Sequence, residues 1–377
     1  MKSPLHVNRR WAVPLIAVGL VAATAVIPNV IGPANASPPV LPTLTPAELL
    51  TKVRTAKVTA LSGSVQLTSN LGLPSLGSLG ASGGGGSSTS LTSLLAGSHS
   101  AQVWIDGTEH VRVATVAPMA ETNWIRNGQD LWSYDSSTLT TTHASLGVAS
   151  AGAMPSATTD SSLDPVHDTP IQFAQELLDK VTPSTGVAIT DNTMVAGRAV
   201  YQLVLTPNDV TSTVQDVTFA VDAATGLPLD VSVTAKSSGT TALEIGFTSI
   251  DFSVPSASTF EFTPPPGSTV VEAKDPASLL SAGGDVHGNR HRTDATGSGF
   301  GQMTTLGQNW TTVAVLSTSS VASQLQSFLT GAPQVTVGGA SARLVTTTLF
   351  NVLVFDDGRI AVGAVDPTTL ESLVAGA

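Results

Sequence analysis

Two short motifs and one isolated residue in this chain are of the types that chemistry uses. Gly80-Ala-Ser-Gly-Gly84 matches the Gly-x-Ser-x-Gly turn that presents a nucleophilic serine. Asp285, His287, His291 and Asp294 are metal-ligating types at short spacing. Arg112 stands in mid-strand within an aromatic-rich stretch. The serine turn needs a buried strand before it and a helix after it, and here it sits in a Gly/Ser tract containing Gly83-Gly-Gly-Gly86. The His/Asp set lies in a linker with Gly288 and Asn289 between its histidines, so no rigid element fixes a coordination geometry. There is no Gly-Lys-Ser/Thr phosphate loop, and no paired carboxylates stand on strands in apolar surroundings. Asp356-Asp357-Gly358 reads as a hairpin turn. The expectation is a protein that is not an enzyme, with no cofactor and no metal.

The elements that would position a binding site centre on residues 101–142, which hold three of the five tryptophans and one of the two tyrosines. Two β-rich runs flank Asp106-Gly107 and two more flank Asn127-Gly128, the strongest short hairpin signals. In the second hairpin, one register pairs Trp124 with Leu131, and the other pairs Arg126 with Leu131 and Ile125 with Trp132. Both put Trp124 and Leu131 on one face and Ile125, Trp132 and Tyr134 on the other, because side chains alternate along a strand. A sheet with large apolar groups on both faces has both faces covered, or one of them lining a cavity. Arg112 reads either as an outward-facing strand arginine or as a polar anchor at the mouth of an apolar cavity.

The chain opens with a basic stretch to Arg10. A charge-free run from Trp11 to Gly32 follows, then Ala34-Asn-Ala36, the layout of an export signal cut after Ala36 or of a retained single-pass anchor. Basic residues ahead of the run place the body outside the cytoplasm. The absence of cysteine excludes disulfides and thiolate chemistry. Without Lys2, Arg9 and Arg10 the formal net charge of −11 becomes −14, which argues against a nucleic-acid partner.

Residues 37–44 read as a Pro-rich linker. A capping box, Thr45-Pro-Ala-Glu48, opens a helix with the stripe Leu49, Leu50 and Val53. A second capped helix begins at Thr169-Pro170, with Ile171, Leu177 and Leu178 on its stripe. Further strands are expected at 63–68, 186–193, 199–206, 215–222, 229–234, 242–250 and 259–263, giving roughly ten antiparallel strands in an α+β domain on a large curved sheet. Residues 72–97 and 147–168 read as low-complexity insertions and 273–301 as a linker. Beyond them, strands at 311–316 and 342–348, a helix at 321–329, a hairpin at 351–362 and a helix capped by Asp366-Pro367 make a small α/β unit at 302–377.

The order of the capped helix, Val103-Trp-Ile-Asp-Gly, Ile125-Arg-Asn-Gly-Gln-Asp-Leu-Trp-Ser-Tyr-Asp135, Val195-Ala-Gly-Arg-Ala-Val-Tyr-Gln-Leu-Val-Leu-Thr-Pro207, Val221-Asp-Ala-Ala-Thr-Gly-Leu-Pro-Leu229 and Phe262-Thr-Pro-Pro-Pro-Gly267 resembles the LolA and RseB superfamily over residues 45–272. The resemblance implies an incomplete, half-open antiparallel β-barrel covered by helices and binding the acyl chains of lipids or lipoproteins. It makes Trp104, Arg112, Trp124, Leu131, Trp132 and Tyr134 candidate ligand contacts. Leu49, Leu50, Val53, Ile171, Leu177 and Leu178 become lid residues. Arg112 is the nearest match to the carrier's Lys-Arg-Pro arginine, with Val111 and Val113 in place of its neighbours. RseB-like members add a small C-terminal α/β domain and contact a membrane anti-sigma factor, the alternative partner that the resemblance implies.

Overall fold

A computed structural model describes residues 40–72, 97–117, 120–146, 184–273, 303–317, 329 and 331–376. The N-terminal segment 1–36, the second capped helix with Ile171, Leu177 and Leu178, the serine turn, the His/Asp linker and nearly all of the expected helix at 321–329 lie outside the described residues. Among the described residues, no helix is long and apolar enough to cross a membrane.

Helix α1 (Pro46–Thr55) starts as its sequence dictates. The Thr45 hydroxyl accepts from the Glu48 N–H at 3.3 Å, and the Glu48 carboxylate accepts from the Thr45 N–H at 2.7 Å. These hydrogen bonds to Thr45 hold the exposed Glu48 carboxyl below its ordinary range.

Twelve strands form one large sheet. In chain order these are β1 (Ala60–Ser69), β2 (Gly97–Asp106), β3 (His110–Ala117), β4 (Ala120–Asn127), β5 (Asp130–Asp135) and β6 (Thr140–Ser145). Then follow β7 (Thr185–Val195), β8 (Arg198–Pro207), β9 (Val214–Asp222), β10 (Pro228–Ala235), β11 (Thr241–Asp251) and β12 (Thr269–Glu272). Their order is β12-β6-β5-β4-β3-β2-β1-β11-β10-β9-β8-β7, an open sheet whose edge strands β12 and β7 do not pair. All neighbours are antiparallel except β12, which lies parallel to β6.

Both β6 and β12 were missed by sequence reading, and residues 259–263 are not the expected strand. That segment is a single 3-10 turn (Ala257–Thr259) followed by irregular chain. Its alternating Phe260 and Phe262 mimic a strand because both point onto the sheet, where Phe260 is 1 % exposed.

Register divides the sheet into two faces. Leu67, Ile245, Val231, Phe219 and Leu203 are successive cross-strand partners on the apolar face, and Leu49 and Val53 of α1 join their core. Helix α1, expected as a lid, therefore packs over β8–β10 and not over the tryptophan hairpins, with Leu50 at the margin of that core. The linker participates too: Leu41 and Leu44 pack on the same core, and the Tyr201 hydroxyl donates to the Pro42 carbonyl at 2.9 Å. Gly226, at φ +77° in the β9–β10 loop, lets that loop approach α1. A Cβ there would overlap the Lys52 backbone.

A second, six-stranded antiparallel sheet runs β13 (Met303–Leu306), β14 (Val313–Ser317), β18 (Arg359–Gly363), β17 (Asn351–Phe355), β16 (Ala340–Thr346) and β15 (Gln334–Val337). Helix α2 (Pro367–Ala375), capped by the Asp366 carboxylate accepting from the Thr369 N–H at 3.0 Å, buries Leu370 and Val374 against it. Leu349 extends from this sheet into the core under α1, and the Trp310 N–H donates to the Thr185 hydroxyl at 2.8 Å.

Candidate functional site

The Asn127-Gly128 hairpin takes the register that pairs Arg126 with Leu131 and Ile125 with Trp132. The six candidate contacts therefore divide. Trp104, Arg112, Ile125, Trp132, His143 and Glu272 form one continuous cross-strand row from β2 to β12, with Tyr134 on the same face. Trp124 is instead paired in the row Val103, Val113, Trp124, Ser133, and Leu131 lies on that opposite face. They cannot all line one cavity.

The first face is covered by the chain itself. After β11 the segment 252–273 crosses it as a strap and ends as edge strand β12. Phe260 packs beside His110 with ring centres 5.6 Å apart, and Phe262 lies 5.5 Å from Trp132 and 6.2 Å from Tyr134. Full burial of one such phenylalanine contributes roughly 1.5–3 kcal/mol. Arg112 fastens the strap: its guanidinium donates to the Thr259 carbonyl at 3.1 Å and twice to Asn123 Oδ1 at 3.2 and 3.0 Å, and it stacks 5.6 Å from the Trp104 ring. This role could not be read from sequence, since the partner lies in a distant segment.

His143 closes the far end. It stacks on Trp132 with ring centres 4.0 Å apart, and its two nitrogens sit 3.0 Å from Asp130 and 2.9 Å from Glu272. Burial alone would lower the imidazole's pKa. The hydrogen bonds and charges of Asp130 and Glu272 outweigh it and raise the value above 6.5. A raised folded pKa means that the clasp is complete below pH 6.5 and loosens as pH rises through the folded value. Glu272→Gln should therefore lower the His143 pKa, read from its imidazole NMR titration. An unchanged titration would show that Glu272 does not hold the imidazolium.

The second face is apolar across the same strands. Val113 is fully buried, Val103 is 4 % exposed, Trp124 is 8 % exposed, and Leu131 and Ile105 pack at the margin of the same cluster. Within it, the Trp124 indole N–H has no hydrogen-bond acceptor. Buried indole nitrogens ordinarily find one, because a buried donor without a partner loses its water and gains nothing. No group of His, Cys, Asp and Glu suited to hold a metal occurs among the described residues.

No family model matches the chain, and no curated protein does. Solved structures similar to it include the MucA/MucB complex of Pseudomonas aeruginosa, at 14% identity and TM-score 0.42, covering 87% of this chain and 96% of that one. A LolA superfamily protein from Nitrosomonas europaea is similar at 12% identity and TM-score 0.22, covering 58% of this chain and 99% of that one.

Proposed function

We propose that the protein is a non-catalytic, extracytoplasmic binding protein that takes up acyl chains of a lipid or lipoprotein on the apolar face of β2–β6. The observation that carries this reading is the Trp124 N–H, buried without an acceptor among Val103, Val113 and Leu131. Leaving such a donor unpaired costs about 1–3 kcal/mol, and phenylalanine would fill an ordinary core without that cost. The ester or amide carbonyl of an acyl chain supplies the missing acceptor, while each methylene removed from water contributes ~0.8 kcal/mol. The resemblance of residues 45–272 to the LolA and RseB superfamily points the same way. Trp104, Arg112, Trp132 and Tyr134 then hold the strap that backs the site, and Trp124 and Leu131 meet the ligand.

Native mass spectrometry of the purified chain tests this. The expected spectrum carries a mass excess that organic extraction removes, and the extract contains acyl chains. A chain that purifies at its bare mass from every lipid-containing host membrane would contradict it.

A further inference from the structure

On the strap's face of the sheet, but over the half of it that α1 covers from the other side, register lines up Gln66, Gly246, Asp230, Ala220 and Gln202 from β1 to β8. The next row along is Thr68, Glu244, Ser232 and Thr218. Asp230 thus stands between the two residues of its row with the smallest side chains, and the sheet is hollow around it. A cavity of about 420 Å³ occupies the hollow, with Met194 and Val195 at the end of β7 among its lining residues. Gly246 is essential to its shape, since a Cβ there would overlap the Asp230 carboxylate.

The chemistry of the lining is one-sided. Among the described residues its polar groups are hydroxyls and amides with two carboxylates and no Lys, Arg or His, while Met194, Val195, Ala220 and Phe247 supply an apolar part. Among the described residues no donor reaches the Asp230 carboxylate, unlike Asp222, which is fully paired. A mostly buried carboxylate with neither a cation nor a donor is an incomplete ion pair.

We propose that this groove binds a small organic ammonium ion, with Asp230 as its counter-ion, Glu244 at the rim, and the Thr68, Ser232 and Gln202 side chains as further acceptors. By register the Asp230 row lies on the other side of the sheet from Trp124, although Ala220 and Phe247 of the groove lining belong to the same buried cluster as Trp124. Burial first, and the Glu244 charge second, push the Asp230 carboxyl up to about 7, so a bound cation displaces its proton and affinity rises with pH through that value. Among the described residues Glu244 is the only other titratable group on the lining, and Asp216 lies farther along β9 on the same face.

Calorimetric titration of the full chain with putrescine, against its uncharged analogue 1,4-butanediol, tests the assignment. Saturable putrescine binding is expected at pH 8. Asp230→Asn and a shift to pH 5.5 should each weaken it at least tenfold, Glu244→Gln should weaken it less, and butanediol should give no heat of binding. Unchanged far-ultraviolet circular dichroism and retained acyl binding confirm that Asp230→Asn is folded. No saturable binding at pH 8, equal affinity in Asp230→Asn, or equal binding of butanediol would each overturn the proposal. None of these outcomes bears on the acyl site.

Discussion

Arg198→Met should destabilise the protein by about 3–5 kcal/mol at neutral pH, the usual cost of stranding a buried charge. Asp222 is 1 % exposed at the end of β9. It accepts from Arg198 Nε at 2.7 Å and Nη2 at 3.0 Å, and from the Thr225 N–H and hydroxyl at 2.7 Å each. Burial alone would raise its pKa, but these partners outweigh burial and hold it below 3.8. The stability they contribute is present above the ordinary carboxylate range and is lost as pH falls through the lower folded value. Arg198 also stacks 4.6 Å from Phe252, where the strap begins, so one guanidinium ties β8, the β9–β10 loop and the strap together. Urea denaturation at pH 7 measures the loss. The double variant Arg198→Met with Asp222→Leu should recover much of it, because no charge is then stranded. A single-variant loss below ~1 kcal/mol, within the range of an exposed ion pair, would show that the pair is solvated.

Asp230→Asn should do the opposite. The folded carboxyl titrates near 7 while the unfolded one titrates near 3.8. Between these values the unfolded chain has released a proton that the folded chain keeps, so wild-type stability falls as pH rises from about 4 to about 7 and is level above. The shift corresponds to a penalty on the order of 4 kcal/mol. The asparagine variant lacks this slope. It should match wild type near pH 4 and exceed it at pH 8 by up to that amount, as measured by chemical denaturation at the two pH values. Equal stability of the two proteins at pH 8 would mean that Asp230 is already solvated or paired. A chain that keeps so costly a carboxylate is consistent with a binding role, since functional groups are commonly retained against stability.

Local signals in the sequence carried much of the fold. Thr45 and Glu48 announce α1, Asp366-Pro367 announces α2, Gly226 marks its turn, and alternation along β4 and β5 puts Trp124 and Trp132 on opposite faces of the sheet in either register. The rest depended on partners far along the chain. Strand β6 is Thr-Thr-Thr-His-Ala-Ser, whose apolar content is too low to signal a strand; its place comes from β5 and from a parallel partner in 269–272. Phe260 and Phe262 carry an alternation that a strand and a covering strap share. Arg112 has the look of a cavity anchor only until Thr259 is beside it. In β10, Asp230 alternates as any outward polar residue would, and its burial arises from Gly246 and Ala220 on the neighbouring strands.

Quenching of tryptophan fluorescence by a bromine-labelled acyl ester tests the central claim most directly. The ester should quench the wild-type protein saturably, and Trp124→Phe should remove that quenching while Trp132→Phe, under the strap on the opposite face, leaves it intact. Quenching that survives Trp124→Phe but disappears in Trp132→Phe, or none at any ester concentration, would contradict the assignment of the acyl site to the Trp124 face.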